Sequence, residues 1–411
     1  MICIDANWRT AAAVLLLATG GSAMAGSLGG PLELQDEGSF FVNGQLTQST
    51  HPGTAVGGIS QPGTITVNQM YVQYRIPRTV SGPAIVMVHG SGHTGATYET
   101  TPDGREGWAT YFARKGFPVY VVDHSGRGRS GFNPTVINRA RAESNAGLLP
   151  DIQIAPRERA WYFFRIGASY PTPFPGSQFP VEAFDQYTAQ LVPNAEATLP
   201  GAGANTVQAL GVLLDKIGPA VVMVHSQSGA YGMDLVRARA AKMLGFINIE
   251  GNCAPVTPDE VVKIFSKVPL LSVWGDNSQG APGPNGDERR NGCAATVTAI
   301  KSAGGSAKFL LLPEAGHKGN THMLMLEEQP CDRRPGHRLA WRERGRALSS
   351  LPPSPFMPIG AVRRQQDDRG RRFRRLLPDH DHVGRPAREV LRPKRRGAAA
   401  RHRCHVLHVK N

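Results

Sequence analysis

Hydrophobic positions fall into two patterns along this chain. Between residues 39 and 77, "SFFVNGQL" and "GTITVNQMYVQYRIP" read as two outer antiparallel strands, the second ended by Pro77. After Pro77 the apolar runs become short and continuous, as in "PAIVMVHGSG" at 83–92 and "PVYVVDHSGRGRS" at 118–130, which read as buried strands running into glycine loops. Between them, "GWATYFARKGF" sets Trp108, Tyr111 and Phe112 on one helical face before Gly116 stops it. Strand, loop, helix and strand in that order open a parallel, doubly wound sheet.

The pattern breaks over 132–203, in "LLPDIQIAPRERAWYFFRIGASYPTPFPGSQFP" and its flanks. An insertion of this length is a surface excursion or a lid, and its aromatic residues Trp161, Tyr162, Phe163 and Phe164 favour the lid. Alternation then resumes: helix "TVQALGVLLDKIG", strand "AVVMVHS", helix "GAYGMDLVRARAA", strands "MLGFINIE" and "PLLSVWGDN", a helix around "CAATVTAIKSAGG", and strand "AKFLLLPEAG". Residues 26–330 therefore read as one α/β domain built on a mostly parallel sheet.

The two ends read differently. In "MICIDANWRTAAAVLLLATGGSAMAG" a basic residue, an apolar run from Ala11 to Ala18, and Ala23-Met24-Ala25 form a signal peptide over 1–25, with cleavage before Gly26 and a periplasmic or secreted destination. No apolar run reaches the roughly 18 residues of a membrane span, so no integral membrane segment is expected. The net charge of +14 suggests a nucleic-acid binder, but residues 331–411 hold 22 basic against 7 acidic residues and the remainder 24 against 25. The body is neutral and only the tail is basic. That Arg-rich tail, without helical or strand period, reads as unfolded: either a frameshifted stretch or a disordered extension. Nucleic acid is not an expected partner. Of the five cysteines, Cys253 and Cys293 are a candidate pair in an oxidising compartment, and no metal-binding spacing is present.

In a parallel sheet the ligand site lies at the carboxyl ends of the strands. Those ends supply His89-Gly90-Ser91, Asp123-His124, His225-Ser226-Gln227, Glu250, Asp276, and His317 with His322. A nucleophile, an acid and a base thus follow in the order serine, acid, histidine, as when a serine sits on a strand-to-helix elbow. The tight elbow wants small residues two before and two after the nucleophile, which favours Ser228. The length of the preceding strand favours Ser226. Arg127 and Arg129 in "SGRGRSG" read as structural, with a role near an anionic substrate group as the alternative, because the string lacks the features of a phosphate loop.

"VHSQSGAYG", "MVHGSGHTGATYETTPDGREGWATYFARKG", "VDHSGRGRSGF" and "LPEAGHKGNTHMLM" together resemble a small family of secreted or periplasmic bacterial serine esterases of the α/β-hydrolase superfamily, over roughly residues 35–328. The resemblance implies an α/β-hydrolase fold with a lid insertion, and Ser226 as nucleophile, with Val224 and Ser228 in place of the usual glycines. It implies Glu250 as acid over Asp276, and His322 as base over His317. The oxyanion donors expected are the backbone N–H of Gln227, at the elbow, and by likeness that of Ser91. The expected reaction is hydrolysis of a small-molecule carboxylic ester through an acyl-enzyme, with no metal or organic cofactor. An amidase or peptidase with the same triad, and an exported binding protein with an inactive hydrolase fold, are the alternatives. Oligomeric state is open, a homodimer included. Such hydrolases usually close the sheet with a helix after the catalytic histidine, and "MLMLEEQ" at 323–329 begins like one.

Overall fold

The structure, a computed structural model, describes residues 31–49, 51, 62–199, 201–253, 255–281 and 286–327. The signal-like segment 1–25 and the Arg-rich segment 331–411 lie outside the described residues. Among the described residues eight strands form one sheet: β1 Leu34–Gln48, β2 Thr64–Pro77, β3 Ala84–Val88, β4 Val119–Val122, β5 Ala220–His225, β6 Met243–Ile249, β7 Leu270–Trp274 and β8 Ala307–Leu311. Their spatial order is β1-β2-β4-β3-β5-β6-β7-β8. The pairs β1/β2 and β2/β4 are antiparallel and all the others parallel. This is the mostly parallel α/β-hydrolase sheet that the resemblance implies.

Apolar continuity explains the centre of the sheet. Every residue of β3, β4 and β5 is buried, because both faces are covered. On one face, Val86, Val88, Val222 and Val224 pack with Leu210, Leu213 and Leu214 of helix α5 (Ala202–Ile217) and Met233 and Val236 of α6 (Ser228–Arg239), and further along with Val297 and Ile300 of α8 (Asp287–Ser302). On the other, Ile85, Met87, Val221 and Met223 pack with Trp108 and Phe112 of α1 (Trp108–Arg114). The insertion joins this second face through Trp161, Phe164, Ile166, Phe184 and Tyr187. Its described residues include the short helices α2 (Thr135–Ala142), α3 (Arg157–Phe163) and α4 (Phe184–Ala189); helix α7 (Pro258–Lys263) lies between β6 and β7.

Two consequences position the site. The chain runs from β3 outward to β4 and then returns to β5 on the other side of β3, so the loops after β3 and β5 diverge and open a crevice at the carboxyl edge. A disulfide between Cys253 and Cys293, with Cα atoms 4.9 Å apart, ties the loop after β6 to α8. After the last strand, Leu324–Leu326 forms a buried 3-10 turn at the start of the segment read as a closing helix. No helix among the described residues is long and apolar enough to cross a membrane.

Candidate active site

Strand β5 ends at His225 and α6 starts at Ser228, leaving Ser226 on the turn between them. Its φ of 52° is left-handed, a costly conformation for a residue with a Cβ, and it persists because the surroundings hold it. Ser226 N–H donates to Ile249 O at 3.0 Å and its carbonyl accepts from Gly229 N at 2.9 Å. Gly229 is obligatory here, since a Cβ would lie 2.3 Å from the backbone nitrogen of Asn252. Val224 is accommodated by Gly232 across the turn, where a Cβ would approach its side chain to 3.2 Å. The bulky residue in the elbow pattern is thus compensated one helical turn later.

Ser228 lies beneath the elbow, fully buried. Its hydroxyl donates to His89 O, so it accepts the Nε2–H of His124 at 2.7 Å. Both of its hydrogen-bonding functions are therefore committed to protein partners.

Glu250 follows β6 and also has a left-handed φ, 51°. Its carboxylate is completely buried and fully bonded. Oε1 accepts Gly275 N–H at 2.6 Å and Arg165 Nη2, while Oε2 accepts Arg165 Nη2 at 2.6 Å and His322 Nδ1–H at 2.6 Å. Burial opposes ionisation, but Arg165 and His322 outweigh it and hold the carboxyl down to about 2. Burial pushes His322 down to about 4, against the pull of Glu250. At neutral pH the pair is carboxylate and neutral imidazole. With Nδ1 bearing the proton, Nε2 carries the free lone pair, and that nitrogen is buried with no hydrogen-bond partner. Ser226 does not bond it in the free protein; bonds of this kind tighten when substrate fills a site.

The histidine is held on every side. Its N–H donates to Phe164 O at 2.9 Å, its carbonyl accepts His225 Nε2–H at 3.0 Å, and the Phe164 ring stacks on it at 5.7 Å between centroids and 5° between planes. The other two residues considered for these roles have different surroundings. Asp276 Oδ2 accepts both the backbone N–H and the side-chain amide of Asn320, at 2.9 and 3.2 Å, and so packs the loop that carries His322. His317 is half-buried in that loop, its carbonyl accepting from Asn320 Nδ2 at 2.8 Å.

On the opposite side of Ser226 stands the loop after β3. Gly90 passes so close that a Cβ would sit 2.7 Å from His225 Nδ1 and 2.9 Å from Ser226 Cβ. His89 donates from Nδ1 to Gly90 O at 2.9 Å and accepts His124 N–H on Nε2 at 3.1 Å. His93 donates from Nδ1 to Ser91 O at 2.8 Å and accepts from the Tyr187 hydroxyl at 3.1 Å. Burial pushes His89 down to about 3 and His93 to about 4, so both are neutral and each tautomer is set by its partners. Among the described residues, the backbone N–H groups of Ser91 and Gln227 have no hydrogen-bond partner.

Sequence reasoning missed Arg165 and Glu196. Arg165 comes from the insertion, is 4% exposed, and adds a bond from Nε to Asp276 O at 3.0 Å. The only signal for it is a single cation inside the apolar string "WYFFRIG". Glu196 pairs with buried Arg127. The arrangement can hold a neutral imidazole with its Nε2 lone pair free and present unoccupied N–H donors to an oxygen.

No family model matches the chain. A solved structure described as that of a novel bacterial esterase is 38% identical over 73% of this chain and 93% of its own, with a TM-score of 0.68. A fungal protein (Fungal sp., strain ATCC 74256) named "Probable secreted lipase phiG" is 27% identical over 326 residues, 66% of this chain and 84% of the fungal one.

Proposed function

The chain belongs to the α/β-hydrolase esterase and lipase family, and from that premise we propose that it is a serine esterase acting on small carboxylic esters. The observation that carries this reading is the bond from His322 Nδ1 to Glu250, which leaves the buried Nε2 lone pair free on a histidine whose carbonyl is bonded by His225, the residue before the elbow serine. His322 takes the proton of Ser226 as its oxygen attacks the ester carbonyl. The oxyanion is met by the N–H groups of Ser91 and Gln227, and the imidazolium by Glu250. His322 then protonates the departing alcohol, and a water deprotonated by the same nitrogen releases the acid and restores the serine.

Export to an oxidising compartment accords with the Cys253–Cys293 disulfide and with the signal-like segment at 1–25. The direct test is hydrolysis of short- and medium-chain p-nitrophenyl esters and the matching anilides by the wild type and a folded Ser226→Ala variant. The reading expects ester turnover lost by about 10⁴-fold or more in the variant. Equal rates in the two proteins would sink it. Turnover of anilides as fast as esters would move the protein to the amidases, and a folded wild type inert to both would leave a binding role.

A further inference from the structure

Arg127 is 2% exposed, far too buried for the substrate-anion role that its position in "SGRGRSG" allows, yet its guanidinium has four acceptors. Nη1 donates to Gly90 O at 3.0 Å and to His93 O at 3.5 Å; Nη2 donates to Gln227 Oε1 at 3.3 Å and to the carboxylate of Glu196, itself 5% exposed. Gly90 O belongs to the same peptide unit as Ser91 N–H. In a trans peptide the carbonyl and the N–H point in opposite directions, so whatever holds the one aims the other. Here the carbonyl is held by two donors, Arg127 Nη1 and His89 Nδ1, on the side away from the N–H. This peptide adjoins the nucleophile, because nothing larger than glycine fits between residue 90 and Ser226.

We infer that Arg127 is a positioning residue for the oxyanion site, fixing the Gly90–Ser91 peptide and the Gln227 side chain with one guanidinium so that the Ser91 N–H faces the reacting carbonyl oxygen. The inference rests on the serine-esterase reading with Ser91 and Gln227 as donors. A cation on the carbonyl also polarises the peptide and makes its N–H a stronger donor. Glu196 neutralises the guanidinium, so Arg127 orients the peptide without exposing charge to substrate. A lysine keeps the charge but lacks the fork that spans Gly90 O, His93 O and Gln227 Oε1 together.

The experiment uses the full chain, p-nitrophenyl butyrate, and two variants: Arg127→Lys, and the double variant Arg127→Met with Glu196→Gln, which leaves no unpaired buried charge. Circular dichroism and stoichiometric labelling of Ser226 by a fluorophosphonate establish that each is folded. Two inhibitors separate the states: an alkyl trifluoromethyl ketone, whose hemiketal oxygen occupies the oxyanion position, and butyrate, the product. The expected result is a fall in kcat of about 10- to 100-fold with KM unchanged within about twofold. The inhibition constant for the ketone rises by the factor that kcat/KM loses, while that for butyrate does not move. Arg127→Lys falls between wild type and the double variant. Unchanged kcat and ketone affinity in folded variants, or equal weakening of both inhibitors, would overturn the inference. A wild type that neither hydrolyses the ester nor takes the label removes the serine-esterase reading itself, and this inference with it.

Discussion

Arg165 and Arg127 are both buried, both lie in the connection after β4, and both meet a glutamate, yet they stand in different relations to the chemistry. Arg165 is bonded to Glu250, the carboxylate that orients His322. Arg127 is bonded to Glu196, which has no hydrogen bond to Ser226 or His322, and its Nη1 and Nη2 also donate to backbone and amide oxygens. One arginine therefore acts on the protonation of the site. The other acts on its shape. A buried cation must be neutralised either way, and the identity of its counter-ion decides which property it controls.

The largest expected effect breaks the first arrangement at its centre. Glu250→Gln keeps the shape but removes the charge that fixes the His322 tautomer and stabilises its imidazolium, and it leaves Arg165 without its counter-ion. Steady-state kinetics should show kcat reduced on the order of 10⁴-fold. A loss under tenfold would mean that another group orients the histidine.

Arg165→Met sharpens the contrast with Arg127. His322 must be neutral to accept a proton, so in the wild type kcat/KM should be constant through neutrality and fall only as pH drops through about 4, the value set by burial of the ring. Arg165 is one of the charges that hold it down, and it is the main charge keeping Glu250 ionised. Removing it should raise the pH at which activity is lost, toward the ordinary histidine value near 6.5, and cost about 3–5 kcal/mol of stability by leaving a buried carboxylate short of its partner. Denaturant midpoints and a pH profile between 3 and 8 report the two effects. Arg127 variants should leave the acid limb where it is. An acid limb that moves in both, or in neither, would erase the distinction between the two arginines.

Ser228→Ala should have the smallest effect on catalysis. It removes the hydroxyl between His124 and His89 O, and should cost about 1–3 kcal/mol of stability with kcat within about tenfold of wild type. Turnover abolished in a folded Ser228→Ala protein would exchange the roles of the two elbow serines.

The insertion shows where pattern reading stops. Its aromatics suggest a cover over a site; Trp161 and Phe164 are buried with the residues of one sheet face, while Tyr162 remains exposed. What the pattern does not reveal is that Phe164 accepts the backbone N–H of His322 and that the next residue clamps Glu250, 85 positions along the chain. A hydrophobic rhythm reports which residues leave water; it has no component that reports which polar groups they meet.

By itself the sequence determined the sheet, because continuous apolar runs such as Val221–Val224 can be satisfied only by burial on both faces. It also determined which polar residues stand at the strand ends, since in a parallel sheet that follows from where each run stops. Ser226, Glu250 and His322 were legible as candidates for this reason. The direction of the Ser228 hydroxyl, the partner of each histidine ring, and the contacts of Arg127 and Arg165 were decided only by tertiary structure. Those properties depend on the direction of a hydroxyl, a ring nitrogen or a guanidinium, and direction is fixed by neighbours that are distant in the chain and a few ångströms away in space.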